Sequence, residues 1–550
     1  MVQRSLNRLR KFPDLVWILI LFAGGWVWAA MYVQVHTQDH SYHQQEFAPA
    51  VYLACGQGFR VAAAAPSGPL GRFLNMETDT LDCAQVPRSL KERERWPASV
   101  LQSQHLIRLV GLTWMLTGVS WPALAPLSGL FFGITLVLAF GVFRLGIGRI
   151  VSGLLASGLA ISALQLDHLL YLRDFARAPF FLAVLATAGA LVKMPWQTQR
   201  NITLAAAAGL ALGLGLGFRL DLAVCLPVVP CTLLFLTPAP FREEMAGRMG
   251  ALLANAVMVL GFGGMVLIGA PHGEIQRLPV FPAMVQPFDR FADLESSPVH
   301  RAESLPGDAY ALAMVNSYAQ RVHGQSPPIE AETPEYDRYS REMVFWMVRN
   351  FPADVVTADW GSLQTVVSLP LAYQGRRSSS SLGVVLRWAE WKNALYRQAP
   401  YLPAALVLAT VAALGAHALR WGVFASLVLL YFGTVPLLQF HSGDVFHLEI
   451  LIWWAFGFWV QRLIVIMQEA KNPAFFKWNE QVSGTIQRGS WWLLGAASLF
   501  AFSVYPLRWV QATQAAPLLE TFATAALDPL QVKVRSGKDS RGRATLRFQP

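Results

Sequence analysis

The sequence predicts an all-α polytopic membrane protein with about eleven transmembrane helices, and three observations carry that expectation. Apolar runs of at least bilayer length, about 18 residues or more, recur from one end of the chain to the other. Only 14% of the 550 residues are charged while 54% are hydrophobic, against about 25% charged in a soluble domain. Basic residues gather in alternate connections between the runs, as the positive-inside rule requires. The formal charge of +10 is spread among these connections without an interleaved aromatic-basic patch, which argues against a nucleic-acid partner.

Hydropathy and turn signals place the spans near 15–35, 122–143, 150–167, 178–194, 201–218, 222–238, 249–269, 401–419, 421–440, 449–467 and 490–508. The first follows the basic segment "MVQRSLNRLRKFPD". It is long and Trp-rich, with no small-x-small cleavage site after it, so it reads as an uncleaved span rather than a signal peptide. The glycines of "LGLGLGF" fall inside the fifth span and read as close helix packing. With the N-terminus in the cytoplasm, the cytoplasmic connections carry fifteen basic and five acidic residues, Arg144, Arg149, Lys193, Arg200 and Arg462 among the former. The expected location is therefore the cell's inner (cytoplasmic) membrane, with the large loops and the C-terminus on the periplasmic side.

That orientation divides the chain into an N-terminal membrane module (1–269) with a first outer loop (36–121), a large outer loop (270–400), C-terminal membrane helices (401–508) and an outer tail (509–550). The stretch "LIRLVGLTWMLTGVSW" ending the first loop is too short and interrupted for a span, and reads as a helix lying at the interface. The second loop mixes Pro-rich coil with helical stretches such as "YSREMVFWMVRNF" and "SLGVVLRWAEWKNALYR", which predicts a small α-rich capping layer. Cys55 and Cys83 share the first outer loop. In an oxidising compartment they are expected to pair across a 27-residue interval, the alternative being two free thiols.

Charged side chains are costly inside a bilayer, and here they concentrate at the predicted outer face: "HTQDHSYHQQE", "QLDHLLYLRDFARAPFF", "GFRLD" and "HSGDVFHLE". Any one of these reads as a solvated loop; four on one side predict a shared polar cavity. Asp39 and Glu46 are candidate bases, with partial burial favouring a raised carboxyl pKa. Arg173, Arg177 and Arg219 are forked cationic donors suited to phosphate. The competing reading pairs Arg173 with Asp174 and Arg219 with Asp221. His441, Asp444, His447 and Glu449 have metal-ligand side chains, although their spacing matches no zinc signature.

The acid after the first span, followed by "Y…E..PA…ACGQGF", together with "LTGVSW", "RDFARAPFFLA" and "GFRLD…LP", resembles integral-membrane glycosyltransferases of the C-type fold. These include protein O-mannosyltransferases, bacterial aminoarabinose transferases and related lipid-linked sugar transferases. The resemblance covers about residues 1–240 by pattern and the remainder by layout. It implies an inverting transfer from a polyprenyl-phosphate sugar to a glycan, lipid or protein acceptor, with membrane lipid as the surroundings. Asp39 matches the family's first-loop acid and is the expected base. Arg173 or Arg177 would hold the leaving phosphate, and His40, His43, Glu46, Arg219, His441 and Asp444 would line the substrate site. His40 stands where many members carry a second acid, which departs from a metal-dependent, two-carboxylate version of the chemistry. A polysaccharide polymerase or ligase, a transporter or flippase of lipid-linked sugars, and a non-catalytic assembly subunit are the alternatives. A transporter would place its polar groups near mid-membrane on repeated halves; here they lie at one face.

Overall fold

The computed structural model describes residues 13–36, 44–63, 66–87, 92, 96, 98–238, 240, 242–269, 307–325, 328–329, 333–373, 383–434, 445–469, 480–524, 533–538 and 544–549. These residues are helical apart from short turns and one antiparallel hairpin, Lys533–Lys538 with Ala544–Gln549. Among the described residues, six helices are long and apolar enough to cross a membrane, or up to eight if two bent pairs each form one span. The six are Asp14–Val35 (α1), Pro122–Phe143, Leu172–Lys193, Met245–Ile268, Phe446–Gln468 and Gln487–Gln514.

Several of the remaining predicted spans fall on helices that break or are short. The third bends by 52° between Arg149–Leu159 (α2) and Ala163–Leu169 (α3), because Ser162 adopts an extended conformation between the two. The sixth, Leu220–Leu236, passes through 3-10, α and π turns. Pro227 and Pro230 each lack the N–H that a continuous α-ladder needs. Leu402–His417 has 16 residues, below the roughly 20 that a perpendicular span requires, and Leu419–Thr434 is the described part of the next predicted span. The fifth falls on Thr198–Leu216. This helix packs closely on Met245–Gly269, and a side chain on Gly213 would meet the Met258 carbonyl oxygen at 2.8 Å. The glycine repeat is a packing device, as its sequence suggests.

Two ends of the bundle can be distinguished. At one, Asp14 pairs with Arg149 (2.5 Å) and Arg144 (3.4 Å), and Gln461 accepts from the Gly148 N–H. At the other, Trp28 Nε1 donates to the Ala160 carbonyl, and the His105 N–H donates to that of Gly217. Helix α1 thus runs from the Arg144–Arg149 connection to the end carrying the first loop.

The first loop has a core of its own. Gln104–Thr117 (α4) lays Leu106, Ile107, Val110 and Trp114 against the short helix Ala48–Ala54 and leaves Leu112, Met115 and Leu116 exposed. This amphipathic helix is not among the candidate spans. Phe47, Phe73, Trp114 and Trp121 interlock beside it. After Ala54 the chain turns through Gly56 (φ 76°) and Gly58 (φ 81°), left-handed conformations that explain the Gly-x-Gly of "ACGQGF". Cys55 and Cys83 form the expected disulfide, with Cα atoms 5.2 Å apart. On a chain-entropy basis it contributes roughly 3 kcal/mol. Alkylation of the native, unreduced protein is expected to spare both residues and to modify the exposed Cys231; labelling of either would contradict the bridge.

The described part of the second large segment has two kinds of helix. Gly307–His323 and Pro334–Asn350 share a small core of Val315, Ala319, Tyr336, Tyr339 and Met343. Pro352–Ala372 (α5) instead packs among the C-terminal helices: Leu363 and Val367 meet Val407, Ile452 and Ala455, and Ser362 Oγ donates to the Gly433 carbonyl. Gly383–Gln398 (α6) follows and meets Leu402–His417 at a bend of 82°.

Candidate functional site

Three arginines from two of the predicted clusters converge at the first-loop end of the bundle. Arg173 lies on the single helical turn Leu172–Phe175, and Arg177 precedes Ala178–Lys193. Arg219 opens the irregular Leu220–Leu236 segment. Arg173 Nη1 donates to Glu46 Oε1 at 2.6 Å, which ties the first loop to this turn. Arg219 reaches Asp174 at 2.6 Å and Asp221 at 3.2 Å, and Arg177 donates to the same Asp221 carboxylate. Arg177 is almost fully buried, with its guanidinium 5.7 Å from the centre of the Phe446 ring. Phe446 in turn stacks on Phe175 and His168.

The pairing corrects part of the sequence reading. Arg219 does pair with Asp221, as that reading has it, and it also reaches Asp174. Arg173 takes a partner the sequence reading did not give it, Glu46. The Glu46 carboxylate, a candidate base and expected substrate-site residue, is engaged by Arg173. Among the described residues, three guanidinium groups stand among three carboxylates, Glu46, Asp174 and Asp221. An incoming phosphate would compete with these carboxylates for donors already grouped around one point.

Asp39, His40, His43, His441 and Asp444 lie outside the described residues. From the last predicted cluster, His447 packs edge-on against Phe181 and beside Phe446. Glu449 is turned away into a second, fully buried polar centre. Its oxygens accept from Ser162 Oγ (2.7 and 2.9 Å), Gln165 Nε2 (3.0 Å) and Trp453 Nε1 (3.0 Å), and Lys392 Nζ stands 3.8 Å away. Sequence reasoning missed Lys392 because a lysine in an amphipathic stretch reads as solvated. The available signal was its spacing: Val385, Ala389 and Lys392 form the buried stripe of α6 at i, i+4 and i+7. Tyr373, at the end of α5, donates to Asp167 at 2.9 Å and brings a third segment to this end of the bundle.

Among the described residues no group of three His, Cys, Asp or Glu side chains is placed to hold a metal ion. An apolar pocket lined by Val142, Leu185, Val407, Trp421, Phe424 and Trp454 among others lies apart from the charged cluster. It has no ionisable side chain in its wall and fits hydrocarbon rather than a phosphate. Comparison with family models, with curated proteins and with solved structures finds no match to this chain.

Proposed function

We propose that this chain is a membrane glycosyltransferase of the C-type fold that moves a sugar, with inversion, from a polyprenyl-phosphate donor to an acceptor at the outer face of the cytoplasmic membrane. The observation that carries the reading is the Glu46–Arg173 contact. It ties the first loop, on which Asp39 lies a few positions before Glu46, to a cluster of three arginines suited to a phosphate. A lipid-linked donor keeps its chain in the bilayer and its phosphate at the surface, where the end of α1 meets the first loop.

In this reading Asp39 takes the proton of the acceptor hydroxyl. The oxygen attacks the anomeric carbon in line, the bond from that carbon to the phosphate oxygen breaks, and polyprenyl phosphate leaves. Arg173 and Arg177 stabilise the charge gathering on the leaving phosphate. Arg219 keeps Asp174 and Asp221 neutralised beside them, and His40, His43 and Glu46 orient the acceptor or the base. The chemistry needs no nucleotide.

Purified protein supplied with a panel of radiolabelled polyprenyl-phosphate sugars and membrane-extracted acceptors is expected to release polyprenyl phosphate in an acceptor-dependent manner. Movement of a lipid-linked sugar across proteoliposomes without bond cleavage would reject the transferase in favour of a flippase.

A further inference from the structure

The apolar pocket has a definite place in the bundle. Ala178–Lys193, Leu402–His417, Leu419–Thr434 and the start of Glu449–Glu469 supply most of its wall, and Val142 and Leu145 complete it. Leu145 packs against Gly189, and Trp454 against Gly146, so the pocket belongs to the half of the bundle that carries the Arg144–Arg149 connection. Leu185, Gly189 and Lys193 follow one another on a single helix face at i, i+4 and i+8. Lys193 Nζ donates to the Arg144 carbonyl at 3.1 Å, the carbonyl joined to Leu145 of the wall. The ammonium thus stands at the end of a stripe that begins at Leu185, roughly 12 Å along the helix.

A second cation reaches the same level on the facing helix. Phe181 meets Phe432 with ring centres 4.9 Å apart, and the next residues along, Leu185 and Val428, both line the pocket. Ala178–Lys193 and Leu419–Thr434 therefore run antiparallel on either side of it. Lys193 and Arg420 each lie twelve residues from that contact (193 − 181 and 432 − 420), so equal helical rise brings them to one level. Arg420 directly precedes Trp421 of the wall. Both cations are exposed, and among the described residues neither has a carboxylate partner. Asp14, the acid at this end, is already shared by Arg144 and Arg149. A plain hydrocarbon would fill the pocket and leave the cations unanswered; a free phosphate would do the reverse. A zwitterionic lipid would bring an ammonium of its own.

We propose that the pocket holds one acyl chain of an anionic phospholipid from the leaflet at the Arg144 end of the bundle, with the lipid phosphate at Lys193 and Arg420. The half-buried Leu414 and Trp421 mark where the chain enters. The site stands at the opposite end of the bundle from Arg173, Arg177 and Arg219, and it does not depend on the transferase reading.

The test is native mass spectrometry of the delipidated full chain, released from a non-ionic detergent and titrated with phosphatidylglycerol or phosphatidylcholine of identical acyl chains. One phosphatidylglycerol is expected to bind saturably and at least about fivefold more tightly than phosphatidylcholine, the scale for one surface cation facing anionic lipid. Lys193→Gln keeps a donor for the Arg144 carbonyl, and Arg420 is exposed, so both Lys193→Gln and Arg420→Gln should fold, as checked by an unchanged Tm in lipid-free detergent. Each should weaken phosphatidylglycerol about fivefold and leave phosphatidylcholine as it was. Ala425→Phe fills the pocket and should weaken both lipids alike. Four results overturn the proposal. The two lipids bind equally; the double variant of Lys193 and Arg420 keeps the preference; a folded Ala425→Phe binds both lipids as wild type does, which puts the chain elsewhere; or uncharged polyprenol displaces phosphatidylglycerol, which gives the pocket to an isoprenoid chain. Inorganic phosphate is expected not to displace the lipid, and displacement would mark an anion site without a chain.

Discussion

Asp39→Asn should abolish sugar transfer while leaving expression and donor binding at the wild-type level. The substitution preserves volume while removing the basicity and the charge of the carboxylate, so the fold should survive and proton abstraction should not. General-base catalysis contributes about 10²–10⁴ in rate, and the variant should fall by that factor in a single-turnover assay with polyprenyl-phosphate sugar. Glu46→Gln should cost less, because it disturbs the ion pair with Arg173 rather than the proton transfer. A variant retaining more than about a tenth of the wild-type rate would lie outside the range a base supplies. The base would then be sought at Asp167, which already accepts from Tyr373, or at Asp444. Loss of donor binding in Asp39→Asn would instead make the residue structural.

How much of this was legible beforehand depends on what kind of information each feature needs. The helical class and the first-loop disulfide rest on composition and on shared sequence context, and both are present in the structure. The convergence of Arg173, Arg177 and Arg219 followed from a one-sided distribution of charge, which is a global property of the sequence. Their partners did not follow, because a contact such as Glu46–Arg173 joins residues 127 positions apart, which spacing cannot reveal. Hydropathy windows also average over helix ends. They could not see that Ser162 leaves the helix and gives its hydroxyl to Glu449, nor that two prolines interrupt Leu220–Leu236. The Lys392–Glu449 centre was half visible, in the place of Lys392 on an apolar stripe. Its partner, 57 positions later (449 − 392), emerges only from the packing of α6 against the membrane helices.

That centre supports the second large prediction. Glu449→Gln should destabilise the protein by about 3–5 kcal/mol, the scale for removing one partner of a buried ion pair. The two partners are not equivalent. Glu449 holds three other donors, Ser162, Gln165 and Trp453, so Lys392→Met leaves the carboxylate still well hydrogen-bonded. Lys392 has no other acceptor among the described residues, so Glu449→Gln leaves a buried ammonium facing an amide. Glu449→Gln should therefore be the costlier single substitution. Combining it with Lys392→Met should recover most of the loss, because the remaining amide can still accept from Ser162 and Trp453 while no charge stays buried. Unfolding in detergent without added sugar, run as a double-mutant cycle, measures the coupling directly. A Glu449→Gln cost below about 1 kcal/mol would be that of an exposed pair. That result, or a double variant no more stable than Glu449→Gln alone, would show that the two charges do not depend on each other. The attachment of α6 to the membrane helices would then rest on its aromatic contacts through Trp388 and Trp453.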